Sequence, residues 1–226
     1  MEASQIRDPA DSLRKRLTAR PVLEPLLFVS LAVAYSWVIR PTDNDWLRIP
    51  FLVVIVLIPF ASNIIHRDRL RDLGLRLDNL RASAHEVGLA TLIGAALILA
   101  VGVVSGGPHF RDRMVQSFFV YPFWGLIQQY AMQSFTYRRL RGAIAQPGIA
   151  AAAAAALFAS VHWPNWPLAL VTLVGGYVWC RLFERNPNLI TLALSHGWLA
   201  VLLRYSWPVD WLRNLRIGPS YWEWGM

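Results

Sequence analysis

Cysteine is nearly missing from these 226 residues. Cys180 stands alone, which excludes an internal disulfide and any cysteine-based metal knuckle. It lies beside Arg181 at an expected helix end and reads as a packing residue. Charge is scarce as well, at 16% of the chain, where soluble domains carry about 25%. Acids are the scarcer sign, 14 against 22 Lys and Arg. In their place stand long apolar runs, 55% hydrophobic residues and a mean hydropathy of +0.37. An ordinary soluble globule is excluded, and the composition points to an all-α, multi-spanning membrane protein. The net charge of +8 does not argue for nucleic acid, because the arginines fall between apolar runs, where they anchor and orient the chain. No nucleic-acid partner is expected. Eleven Trp and seven Tyr suit aromatic belts at two membrane surfaces, so the lipid bilayer is the expected partner.

About seven spans can be drawn in one bundle over 25–205, after a polar tail over 1–24. The tail (Arg7, Asp8, Asp11, Arg14, Lys15, Arg16, Arg20) runs directly into an apolar stretch, the pattern of a retained first span rather than of a cleaved signal peptide. The expected spans are 25–39, 49–65, 87–104, 114–137, 148–162, 168–183 and 189–205. Between the second and third, His66 to Glu86 alternates Arg and Asp with leucines, and reads as a surface helix or looped hairpin on the membrane. Ser105-Gly106-Gly107-Pro108 closes the third span. Seven alanines, Ala150 to Ala156, open the fifth and predict a central, closely packed helix. Over 206–226 the Trp-rich tail (Trp207, Trp211, Tyr221, Trp222, Trp224) is expected as an interfacial lid or a short element that does not cross. With seven spans, fifteen Lys and Arg fall on the side of the N-terminus and seven on the other. The richer side is expected to be cytoplasmic, in a plasma (inner) membrane, with the C-terminus outside.

Five polar residues lie in this apolar sequence: Gln128, Gln129, Gln133, His162 and His196. Polar groups at that depth are costly unless paired or used, so they form the candidate site. Gln129 and Gln133, four apart, share a helix face; Gln128 is turned about 100° away. Taken alone, the glutamines could be interhelical glue. His162 ends the fifth span and His196 lies two turns into the seventh. Counting at ~1.5 Å per residue puts Gln129 and His196 about 10 to 13 Å from the cytoplasmic ends of their helices, and His162 nearer 20 Å.

The order of these motifs resembles that of the CPBP family, the CAAX-protease and bacteriocin-processing intramembrane endopeptidases, over about 118–203. The resemblance rests on a paired motif within one helix, then Phe158-x-x-x-His162 at the end of the next, then His196 in a later one. Trp163-Pro164-Asn165, Gly175-Gly176 and Asn188-Leu189-Ile190 add the surrounding texture. The family's Glu-Glu-x-x-x-Arg reads here Gln128-Gln129-x-x-x-Gln133, and the Asn of its His-x-x-x-Asn is Ala200. By motif position the resemblance implies Gln128, Gln129, His162 and His196 as catalytic-site candidates. Gln133, Phe158, Asn165 and Trp198 are the expected substrate-binding set.

In that family a glutamate acts as general base on water, assisted by the histidines and the Asn. A carboxylate in a dry site can be tuned to take a proton near neutral pH. A glutamine amide has no usable basic pKa. Losing the Asn donor costs a further ~3 kcal/mol by analogy with other oxyanion donors. Two histidines supply at most two ligands where catalytic zinc uses three, so neither metal nor cofactor is expected. Three readings follow. One is a family member that has lost the glutamate chemistry and binds a lipidated or transmembrane peptide, or a similar amphiphile. Another is a hydrolase with a histidine base, and the last a structural or transport component.

Overall fold

The computed structural model describes residues 9–107 and 113–223, with side chains described for 21–107 and 113–223. Arg7, Asp8, Pro108 and Trp224, named above, lie outside the described residues. Helix α1 (Pro9–Ala34) begins well before the expected span and continues through a wide π turn (Tyr35–Ile39) and a 3-10 turn (Arg40–Thr42). Then come α2 (Asp45–Ile65), α3 (Leu80–Val104) and α4 (Met114–Gln129). A π-helical stretch (Tyr130–Tyr137) carries α4 into the short α5 (Arg138–Ala143). Helices α6 (Pro147–Ser160), α7 (Trp166–Arg185) and α8 (Leu189–Ser206) complete the bundle, and α9 (Val209–Leu212) with two 3-10 turns forms the tail. Five stretches, Pro21–Thr42 and helices α2, α3, α7 and α8, are long and apolar enough to cross a membrane. The protein is a helical membrane bundle.

Asn44 caps α2 by accepting from Trp46 N, and Asn188 caps α8 by accepting from Ile190 N and Thr191 N. Pro147 occupies the first turn of α6, where its missing N–H has no partner to lose. Trp163-Pro164 lies in the turn between α6 and α7, where proline disfavours continuation of the helix.

The polar stretch between the second and third spans is shorter than its composition predicts. Only 66–79 forms turns; Leu80 to Glu86 are already the first two turns of α3. The helix tolerates these polar residues because α8 and the turn before it supply partners. Ser83 Oγ is 2.8 Å from Thr191 Oγ1, Asn186 donates to Glu86 Oε1 at 3.0 Å, and Asn79 donates to the Pro187 carbonyl at 3.0 Å.

Small residues set the closest helix approaches. Ala150, Ala151, Ala154 and Ala155 of α6 are fully buried, as the alanine run predicts, and Ala155 lies against Gly176 of α7. Gly125 of α4 and Gly197 of α8 bring those two helices together backbone to backbone. A Cβ at Gly125 would stand 2.8 Å from the Ala193 carbonyl, and one at Gly197 2.5 Å from Pro122 N. This contact fixes α4 against α8 directly beside the candidate site.

At the arginine-rich end, α1, α2, the 66–79 turns and α5 meet around a buried guanidinium. Arg139 donates to Ser62 Oγ at 3.0 Å, Asn63 Oδ1 at 2.9 Å and Asp68 Oδ2 at 2.6 Å, with Glu24 at 3.4 Å. Arg138 takes the other oxygen of Asp68 at 2.8 Å. Burial pushes the Asp68 carboxyl up, but the bonds and charges of Arg139 and Arg138 outweigh it and hold it below its ordinary value of 3.8. A depressed carboxyl contributes stability that is fully present above its unfolded-state value and is lost as pH falls through its lower folded-state value. Melting in detergent should therefore drop steeply below about pH 4 in the natural chain. Asp68→Asn, already destabilised at neutral pH, should flatten that acid limb; an unchanged limb would show that Asp68 contributes none of it.

Candidate functional site

Gln129, the last residue of α4, and Gln133, in the π-helical stretch that follows, are fully buried. Gln133 donates to Gln129 Oε1 at 3.1 Å, and Gln129 Nε2 lies 3.1 Å from His196 Nδ1. An amide nitrogen only donates, so His196 Nδ1 accepts, and the neutral ring carries its proton on Nε2. The relay is polarised in one direction, from Gln133 through Gln129 to His196. One polar atom is left over: Gln133 Oε1 is buried without a hydrogen-bond partner.

Aromatic rings hold the imidazole in place. Trp179 of α7 lies parallel to His196, with ring centroids 4.7 Å apart and 12° between planes. The indole is fixed in turn, because its Nε1 donates to Ser195 Oγ at 3.1 Å and Thr91 Oγ1 of α3 lies 2.8 Å from the same oxygen. Phe158 of α6 presents its edge or face to both imidazoles, with centroids 5.9 Å from His196 and 4.9 Å from His162. The counted depth of His162 is bridged in this way. Helix α6 ends at Ser160, the chain turns at 161–164, and Phe158 spans the remaining gap.

His162 has the opposite tautomer. Its Nδ1 lies 2.8 Å from the Phe158 carbonyl, which only accepts, so Nδ1 carries the proton and Nε2 keeps its lone pair. One imidazole therefore offers a donor at Nε2 and the other an acceptor. Within the described residues no group of three or more His, Cys, Asp or Glu side chains is arranged to hold a metal ion.

A family model described as Type II CAAX prenyl endopeptidase Rce1-like matches residues 110–202. This match supports the resemblance to the CPBP family. The matched segment contains every CPBP motif position, from Gln128 to Ala200. No curated protein and no solved structure matches the chain.

Of the residues expected at a CPBP site, Gln129, Gln133, Phe158, His162 and His196 meet in one chain of contacts. Gln128 is half-buried on a neighbouring face of α4, outside that chain. Trp198 is exposed and donates to the Phe118 carbonyl at 3.2 Å, tying α8 to α4. Asn165 is fully buried and engaged elsewhere. It accepts from Leu168 N at 3.3 Å as the cap of α7, and donates to the carbonyls of Leu212 at 2.6 Å and Arg216 at 3.1 Å. It fastens the C-terminal segment over the α6–α7 turn, and Gly218 N donates to the Trp163 carbonyl at 3.0 Å beside it. The tail is thus a cap of short helical turns that does not cross the bundle.

Trp179, Ser195 and Thr91 belong to the site, yet sequence reasoning does not select them. A signal for Trp179 existed: a tryptophan inside a span, three residues after Gly176, is away from the interfacial belts that tryptophans favour. Cys180, fully buried, is in the packed core, as its sequence context suggests.

Proposed function

We propose that this CAAX-protease-like membrane protein keeps the family's site as a binding site and does not run glutamate-driven proteolysis. The observation that carries this reading is the pairing of Gln129 with His196. Where the family places a carboxylate, the chain places an amide that donates to the imidazole instead of competing for a proton. The amide keeps the shape and hydrogen bonding of the motif and removes its base. The ligand this suits is a lipidated or transmembrane peptide, or a similar amphiphile, entering from the bilayer. The N-terminus faces the cytoplasm in this proposal, since fifteen of the 22 Lys and Arg lie toward that side.

The test is restoration. Gln128→Glu, Gln129→Glu, Gln133→Arg and Ala200→Asn are introduced together, and cleavage of a prenylated peptide by purified protein is compared with the natural chain. Cleavage only by the restored protein supports a lost base. Equal cleavage by both overturns the proposal in favour of a hydrolase with a histidine base. The bond from His162 Nδ1 to the Phe158 carbonyl favours His162 for that second reading, because it leaves Nε2 unprotonated. In that case His162→Gln abolishes the natural chain's cleavage.

A further inference from the structure

A cavity of about 380 Å³ that shares no lining residue with the amide–imidazole cluster lies between α2, the 66–79 turns and the start of the π-helical stretch. Its walls are apolar: Phe60, Ile64, Leu70, Leu75 and Tyr130. Phe60 stacks on Tyr130 with centroids 4.5 Å apart, which fixes one wall. Ile64 and Leu70 are 76% and 65% exposed, so the cavity opens onto the outer face of the bundle. The volume is at the lower end for ligand sites and suits part of one acyl chain better than a whole lipid.

Three polar residues also line it: Asn63, Asp68 and Arg67. Asn63 is engaged, donating to the Tyr130 hydroxyl at 2.9 Å and accepting from Arg139 at 2.9 Å. Asp68 is neutralised by Arg138 and Arg139. Arg67 alone has no side-chain hydrogen bond or ion pair among the described residues. Its backbone is left-handed, with φ 55°, at the C-terminal end of α2. That position normally takes glycine, so the arginine is not there for the turn. Around it the turns expose Leu70, Leu75 and Leu77 among Arg67, Arg69 and Arg71, the composition of a segment lying in the membrane interface.

We propose that this cavity binds an anionic glycerophospholipid, with an acyl chain along the Phe60–Leu70–Leu75 wall and the headgroup phosphate on Arg67. Charge complementarity selects this occupant, because the cavity offers one uncompensated cation at the mouth of an apolar slot. The inference does not rest on the reading of the glutamines.

The experiment is a thermal-shift titration of the full chain in a neutral detergent with phosphatidylglycerol, phosphatidylcholine or glycerol phosphate. Phosphatidylglycerol should stabilise saturably, phosphatidylcholine about tenfold more weakly, and glycerol phosphate not at all. Arg67→Gln should lower the phosphatidylglycerol affinity about tenfold, and Arg69→Gln, outside the cavity, should leave it unchanged. Arg67→Gly guards against a folding defect: glycine suits the left-handed turn, so lipid-free melting should rise while the lipid response falls. Equal stabilisation by the two lipids would reduce the cavity to an unselective apolar cleft and overturn the proposal. So would a full response to glycerol phosphate, or an Arg67→Gln protein that binds as the natural chain does.

Discussion

Gly197→Ala should destabilise the bundle by about 3 kcal/mol and uncouple His196 from Gln129. The added Cβ would stand 2.5 Å from Pro122 N, 2.7 Å from Pro122 Cα and 2.8 Å from the Tyr121 carbonyl carbon. All three are backbone atoms, so no side chain can rotate to make room, and α8 must move away from α4. Overpacking of this kind costs about 1–3 kcal/mol in well-packed cores, and the absence of a yielding neighbour puts this case at the top of that range. The displacement falls one residue from His196, whose bond to Gln129 is 3.1 Å long and cannot stretch far before it is lost. Gly88→Ala is the control, because nothing lies within 4 Å of a Cβ there. It should be neutral or slightly stabilising, since alanine is the better helix former. Melting temperatures in detergent, with the His196 ring resonances as a second readout, check both. Equal melting of the two variants would mean that α4 and α8 are not held at this distance.

The path of the chain is legible in its sequence wherever apolarity and length agree. Helices α2, α3, α7 and α8 fall on expected spans, and the alanine run of α6 is buried as its small side chains require. The start of α3 was not legible. Glu86 and Ser83 look too polar for a buried helix until their partners Asn186 and Thr191 are known, and those are 100 and 108 residues away. The same limit divides the site. The i, i+4 spacing of Gln129 and Gln133 puts them on one face whatever surrounds them, and motif order brings in His162 and His196. Nothing local tells that Trp179 will lie flat on His196, because that depends on how α7 is rotated against α8. Asn165 stands near a motif histidine in the sequence, and nothing local tells that the tail folding back onto it takes both of its donor contacts.

Arg139→Met should cost about 3–5 kcal/mol, the usual loss when one member of a buried ion pair is removed. Its side chain is 7% exposed and ties α5 to three other elements: Glu24 on α1, Ser62 and Asn63 on α2, and Asp68 in the turns. Methionine fills much of the volume but offers no donor. Asp68 would lose the shorter of its two arginine contacts and keep only Arg138, Asn63 Oδ1 would lose its donor, and Glu24 its nearest arginine. Two of the elements released, α2 and the 66–79 turns, also wall the lipid cavity. A cycle with Asp68→Asn separates charge from packing. If the cost of Arg139→Met is an uncompensated carboxylate, the double variant should recover part of the loss, by 1 kcal/mol or more. If the cost is lost packing and lost bonds to Ser62 and Asn63, the two substitutions should add. Gln133 and Gln129, which hold His196 of α8, lie earlier on the same helical run as Arg139. The His196 resonances should therefore shift in Arg139→Met if α5 moves the π-helical stretch with it, and stay in place if that stretch acts as a flexible joint.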